Sequence, residues 1–376
     1  MSKHKKQEAI PKPSLLPSAR KLLGTSLLFW FAERKRDLPW RKTKDPYSIW
    51  VSEIMLQQTQ VATVIPYFER FLKSFPTLDI LAAADEQEVL RHWQGLGYYR
   101  RARMMHQAAK IILSNHDGIF PREPEALAQL PGLGRYTRNA VLSQAFDYRL
   151  PILEANTKRV LARLFGLMQD IDSSSGNKFL WEAAEEILPE SDIGAFNQAM
   201  MELGSLVCTV SSPKCGSCPL STICLARQSD LVGNIPVKKK KVVVTQVAEL
   251  ATVLVNGKKI LLGKRPAGQR WAGLWEVPHD TPTYDVSELK ALRSISKKYV
   301  SLMPRKFLEI GRVVHPVTRF KITVRVFLGK VSGRAKSGFY EELAWVAPEE
   351  MGGFPKSSPQ SKIIAMALKA LAGSKT

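Results

Sequence analysis

The chain has 376 residues, 45% of them hydrophobic, which is enough material for two separate cores. Lys and Arg total 55 against 34 Asp and Glu, a formal charge of +21; this excludes an ordinary near-neutral metabolic enzyme and makes a polyanion the expected partner. No run approaches the roughly 18 apolar residues of a membrane span, and the one secretory-like core, Leu22 to Ala32, is broken by Gly24, Thr25 and Ser26 and followed by Glu33-Arg34-Lys35-Arg36, so a soluble cytoplasmic protein is expected.

Residues 1–20 are rich in Lys, Pro and Ser and read as a basic flexible arm. From 21 to 228 the pattern is helical. Asp45-Pro46 offers an N-cap with proline at the first helical position, after which Tyr47, Trp50, Val51, Ile54 and Met55 recur at helical spacing. Val61, Val64, Ile65, Phe68, Phe71 and Leu72 repeat it, and Val160, Leu161, Leu164 and Phe165 resume it after Asn156-Thr157. Residues 229–244, with Gly233, Pro236 and a run of lysines, have neither period and read as a basic linker. From 245 to 376, β-rich runs at Ala251 to Val255, Lys259 to Leu262 and Ile322 to Leu328, a turn at Asn256-Gly257, and helical stretches near Ser287 to Tyr299 and Ser361 to Ala372 predict an α+β domain.

Three features carry chemistry. Leu130-Pro131-Gly132-Leu133-Gly134 sits between a polar helix end and the apolar period of Val141, Leu142, Ala145 and Phe146. Without side chains at Gly132 and Gly134, backbone amides at a positive helix end can approach a phosphate, with Arg135 and Arg138 close by. All four cysteines fall in one short stretch, Cys208-x6-Cys215-x2-Cys218-x5-Cys224; this has the compactness of one metal site rather than of disulfides, and spacing alone admits zinc, slightly ahead, or an iron–sulfur cluster. On its helix Glu53 stands roughly 120° from the middle of the apolar stripe, at the border of buried and open surface. A glutamate there can keep a raised pKa and act as an acid.

Residues 37 to 226 resemble the catalytic domain of the helix-hairpin-helix glycosylase superfamily, and within it the adenine DNA glycosylase branch. The resemblance rests on Leu38-Pro39-Trp40-Arg41, on the run from Val51 to Gln60, and on Gly95-Leu96-Gly97-Tyr98-Tyr99. It implies a 4Fe–4S cluster on Cys208, Cys215, Cys218 and Cys224, reversing the order given by spacing. It also implies duplex DNA with A opposite 8-oxoguanine or G as the partner, and a monomeric enzyme of base-excision repair. Glu53 would protonate the adenine ring nitrogen and help activate water. A second carboxylate should support the electron-deficient sugar; Glu154, just before a helix whose dipole favours the ionised form, takes that place, although most of the family has aspartate followed by glycine where this chain has Glu154 and Ala155. Asn156 would position water or substrate. Bifunctional relatives carry a lysine nucleophile where this chain has Tyr136, and a phenol forms no Schiff base, so an abasic site is the expected product. Trp40, Gln58 and Tyr98 match positions that fill the vacated base stack and hold the flipped base; Arg41 and Gln57, in the same motifs, are read as DNA contacts.

Residues from about 245 resemble the Nudix-like C-terminal module of the same family, most clearly at Gly273-Leu274-Trp275-Glu276-Val277-Pro278. The segment Ser287 to Tyr299 holds one acid, Glu288, so no metal-dependent pyrophosphatase is expected. In the family a loop bearing phenylalanine, serine and histidine reads the oxidised guanine; here Val317-Thr318-Arg319 stands after His315-Pro316. Thr318 keeps a hydroxyl, and Arg319 is placed for a phosphate or base edge. A superfamily member with altered base choice, or a non-catalytic iron–sulfur DNA-binding protein, are the competing readings.

Overall fold

The computed structural model describes residues 12–237, 243–282 and 286–373. The lysine run at 238–241 and residues 1–11 of the expected basic arm lie outside them. In chain order the helices are α1 (Pro17–Arg34), α2 (Pro46–Leu56), α3 (Val61–Ser74), α4 (Leu78–Ala83), α5 (Glu86–Trp93), α6 (Arg100–Asn115), α7 (Pro124–Ala128), α8 (Arg135–Phe146), α9 (Ala155–Leu164), α10 (Ser174–Glu186), α11 (Ile193–Leu206) and α12 (Leu225–Gln228). After them come β1 (Thr245–Asn256), β2 (Lys259–Lys264), β3 (Trp275–Glu276), β4 (His279–Asp280), α13 (Glu288–Val300), β5 (Leu308–Val317), β6 (Phe320–Lys330), β7 (Glu342–Val346) and α14 (Ser358–Gly373). A helical region followed by a mixed α+β region is the expected fold class.

Two compact units form, one running to Ala82 and resuming over Gln107–Lys240, the other joining Ala83–His106 to Lys241 and beyond. The helical reading of 21–228 did not foresee that Ala83–His106 packs with the C-terminal residues. The reason is a set of directed bonds. Gln87 donates to the Gly273 carbonyl at 3.0 Å and accepts from the Trp275 indole at 3.0 Å, and the Tyr99 hydroxyl donates to the Lys356 carbonyl at 2.8 Å.

In the first unit, Asp45 caps α2 as expected, its carboxylate accepting from the amides of Tyr47 and Ser48 at 3.2 and 2.9 Å. The secretory-like stretch is instead an amphipathic helix, α1, that buries Leu23, Leu27 and Phe31 in the core shared with α9, α10 and α11. Ser229 to Val237 of the expected linker is fixed chain: Ile235 is buried in that core, and its carbonyl accepts from the Arg163 guanidinium at 2.8 Å.

In the second unit the sheet runs β3-β2-β1-β6-β5, with β4 on β1 and β7 on β2. The β1–β2 hairpin turns at the predicted place, pairing Val255 with Ile260 and Asn256 with Lys259 around Gly257, whose φ of 59° favours glycine. Side chains alternate along β1, so that Leu250 and Leu254 meet α13 while Ala251, Val253 and Val255 meet α14.

Candidate active site

Helix α2 is buried on nearly every side, and Glu53 with it, at 3% exposure. That is deeper than the half-open border its helical angle predicted, because α3 and α8 cover both flanks. Its carboxylate faces a pocket of about 720 Å³. The Tyr136 hydroxyl donates to Glu53 Oε2 at 2.7 Å and the Gln144 amide donates to Oε1 at 2.7 Å. Tyr136 and Gln144 lie eight residues, about two turns, apart on α8, so one helix face brackets the carboxylate. Burial is the largest influence on Glu53 and pushes its carboxyl above the usual carboxylate range, against these two hydrogen bonds; Glu154 pushes the same way and Arg41 opposes. Burial, then Glu53 and Glu154, raise the Tyr136 phenol well above its ordinary value, so it stays a donor.

Glu154 lines the same pocket, as the N-cap of α9. Its two oxygens accept from the Asn156 and Thr157 amides at 2.8 and 2.9 Å, and Thr157 Oγ1 accepts in return from the Glu154 amide at 2.8 Å. The longer side chain thus curls back onto its own helix. Burial is the largest influence and raises the carboxyl above its ordinary value; the two helix-end amides act in the expected direction, towards the ionised form, but do not outweigh it. Asn156 serves Glu154 as well, bonding it through backbone and side chain. Its Oδ1 accepts from Arg159 at 2.8 Å, and Arg159, buried at 7%, also donates to the Cys208 and Gly204 carbonyls at 2.7 Å each.

The pocket brings Trp40, Gln57, Gln58, Gly132 and Gly134 to the same walls. Trp40 is both core and wall, buried and set edge-on to Phe68 at 5.4 Å. Gln57 donates to Thr137 Oγ1 at 3.2 Å, while Gln58 is exposed at a φ of 55°. Gly132 has a φ of 84°, and a Cβ at Gly134 would meet open space, so the hairpin is bare as predicted. Two arginines expected on DNA also have partners within the protein. Arg41 donates to both oxygens of Glu202 at 3.1 and 3.0 Å, because an acid at 1% exposure requires charge compensation; Arg138 donates to the Pro124 carbonyl at 3.3 Å. Glu202 also takes Arg36, and with Gln144 and Arg159 it was not singled out from sequence.

Away from this pocket, Cys208, Cys215, Cys218 and Cys224 line one small cavity with Arg163 and Arg227, and all four are free thiols. Arg163 donates to Cys208 Sγ at 3.3 Å. Burial, and then the neighbouring sulfurs, push the Cys218 thiol up to about 11 and raise Cys224. Four cysteine sulfurs around one small cavity are a donor set that fits a tetrathiolate metal group.

Residues 51–186 match the HhH-GPD superfamily of base excision DNA repair proteins, and residues 250–366 match the NUDIX domain. The chain is 34% identical to the adenine DNA glycosylase of Rattus norvegicus over 90% of its own length and 76% of the relative's. It is 34% identical to that of Buchnera aphidicola from Schizaphis graminum over 81% and 87%. The chain belongs to the adenine DNA glycosylases. Among solved structures, a thermostable thymine-DNA glycosylase superposes with a TM-score of 0.51 at 28% identity, over 56% of this chain and 98% of that one.

Within this adenine DNA glycosylase, three expected DNA contacts belong to the second unit. Tyr98 is 51% exposed with a φ of 49°. Thr318 and Arg319 form the two-residue turn of the β5–β6 hairpin. The Thr318 hydroxyl donates to the Val317 carbonyl at 2.7 Å, and the Arg319 guanidinium lies over Phe320 at 5.1 Å. Among the described residues no helix is long and apolar enough to cross a membrane.

Proposed function

We propose that this chain hydrolyses the N-glycosidic bond of adenine mispaired with 8-oxoguanine or guanine in double-stranded DNA and leaves an abasic site. The observation that carries the reading is the Glu53 carboxyl, lodged at 3% exposure between Tyr136 and Gln144 on a pocket rimmed by a bare glycine hairpin. With its pKa raised by burial, Glu53 holds a proton for the leaving base. It hands that proton to a purine ring nitrogen, the bond from C1′ to N9 breaks with its electron pair going to the base, and the sugar is left cationic. Glu154 lines the same pocket; a cation forming beside it draws its carboxyl to the ionised form, which stabilises the charge. Water then adds to C1′ and gives its proton to the Glu53 carboxylate. Asn156 holds Glu154, and Arg159 holds Asn156.

The residues lining the pocket include no lysine among those described, and Tyr136 offers a phenol; no Schiff base forms, and the enzyme is monofunctional. Cys208, Cys215, Cys218 and Cys224 hold a 4Fe–4S cluster through their thiolates. When bound, that group supplies a cross-link that fixes the Cys208–Cys224 loop against α9. Purified protein is then brown, with broad absorption in the visible blue, and Cys218→Ser loses the colour and melts at a lower temperature. A colourless protein with stoichiometric zinc would overturn the assignment. The enzyme acts as a monomer on cytoplasmic, nucleoid DNA.

Three duplexes test the reading: A opposite 8-oxoguanine, A opposite G, and T opposite G, each followed by alkali. Both adenine duplexes are expected to break only after alkali, and the thymine duplex to stay whole. Scission before alkali defeats the monofunctional step. Cleavage of thymine alone favours altered base choice, a second reading kept because the helical unit shares its fold with a thymine-DNA glycosylase. Binding without excision of any base favours the non-catalytic reading.

A further inference from the structure

Arg135 opens α8, directly after the bare glycine hairpin, and lines the mouth of the Glu53 pocket. Its guanidinium carbon lies 3.7 Å from the centroid of the Trp181 ring on α10. That is stacking distance, and it decides what the arginine can still do. A guanidinium that stacks uses its π face and keeps its in-plane N–H fork. Among the described residues no hydrogen bond or ion pair takes any of those N–H groups, whereas Arg41, Arg138 and Arg159 are each committed to protein acceptors. Trp181 is half-buried against the core of the first unit, so the shelf itself is anchored.

We propose that Trp181 is a positioning residue whose indole face holds the Arg135 guanidinium at the pocket mouth, its donors free, to clamp a DNA backbone phosphate beside the extruded nucleotide. This rests on the reading of the chain as a DNA glycosylase. Fixing the guanidinium before DNA arrives removes the ordering cost of a long, exposed side chain. The phosphate then meets a fork already aimed, beside the amides of the hairpin.

The test is a double-mutant cycle on the full chain, measuring duplex affinity against salt and single-turnover excision at saturating protein. Trp181→Leu keeps the apolar packing and loses the π face; it should weaken duplex binding about tenfold and reduce the slope of log affinity against log salt by about one phosphate contact. Excision at saturation should stay near the unsubstituted rate. Arg135→Gln should give the same losses, the double variant no further loss, and Trp181→Phe should restore binding. Unchanged affinity in Trp181→Leu, or losses that add in the double variant, overturns the clamp. If the unsubstituted protein binds duplex yet excises nothing, the catalytic reading falls while the cycle still decides the clamp; if it binds no duplex, both fall.

Discussion

Glu53→Gln is expected to lower adenine excision by about 10²- to 10⁴-fold, the usual range for losing a positioned general acid, while leaving duplex affinity nearly unchanged. The glutamine fits the same space. Its oxygen can accept from Gln144 and its amide can donate to the Tyr136 oxygen, so the walls of the pocket have no reason to move. Only the dissociable proton is gone. Because burial raises the Glu53 pKa in the folded chain, the folded state binds its proton more tightly than the unfolded state does. The sign follows from that: the carboxyl costs nothing below the unfolded value of about 4.3, and its cost grows as pH rises from there through the folded pKa. Glu53→Gln should therefore melt at a higher temperature than the unsubstituted protein at pH 8, with the two curves converging near pH 4. A variant less stable at pH 8 contradicts a carboxyl held in a desolvated site. Single-turnover excision by the unsubstituted enzyme should fall on the alkaline side as the same proton is lost.

How much of this site could be read from sequence depends on whether a residue announces its environment locally. Glu53 did, as an acid at the edge of a strongly apolar helix inside a recognisable motif. Asp45-Pro46, the bare hairpin and the Asn256-Gly257 turn did too, since caps and turns are decided by their own few residues. Gln144 did not, because a glutamine near a helix end reads as a solvated residue; the available signal was its two-turn spacing from Tyr136 on the same helix. The pairing of Arg41 with Glu202 was not legible because the partner is 161 positions away, and nothing near Arg41 foretells a buried acid. β5 was missed for a local reason: the register shift between Glu309 and Gly311 breaks the strand's alternation, and its edge position leaves half its residues in water. The union of Ala83–His106 with the C-terminal residues rests on single long-range bonds from Gln87, Trp275 and Tyr99. Periodicity carries no trace of such bonds.

Glu202 is the residue whose loss should cost the fold most. It is the lone acid of α11, at 1% exposure. Its Oε1 accepts from the Arg36 backbone amide at 2.9 Å, from Arg36 Nε at 2.9 Å and from Arg41 Nη1 at 3.1 Å; its Oε2 accepts from Arg36 Nη2 at 2.6 Å and Arg41 Nη2 at 3.0 Å. Burial alone would raise this carboxyl, but the hydrogen bonds from Arg36 and Arg41 prevail and bring it from 4.5 down to about 2. At about 1.4 kcal/mol per pKa unit this is worth roughly 3 kcal/mol, an upper figure because Arg36 is 33% exposed. Glu202→Leu leaves two guanidinium groups facing apolar surface, and breaking such a pair by removing one partner costs about 3 to 5 kcal/mol, or roughly 10 °C in a unit of this size. The sign with pH is opposite to that of Glu53. A depressed carboxyl stabilises above the unfolded value of about 4.3 and loses that contribution as pH falls towards 2, so the gap between the unsubstituted protein and Glu202→Gln should be level from pH 5 to 8 and close below pH 4. Excision should fall with stability, since Arg36, Leu38, Trp40 and Arg41 line the pocket and the two arginines tie that stretch to α11. Thermal melts that show no loss at pH 7, or a gap that persists at pH 2, would rule out the buried ion triad as the brace behind the Trp40 wall.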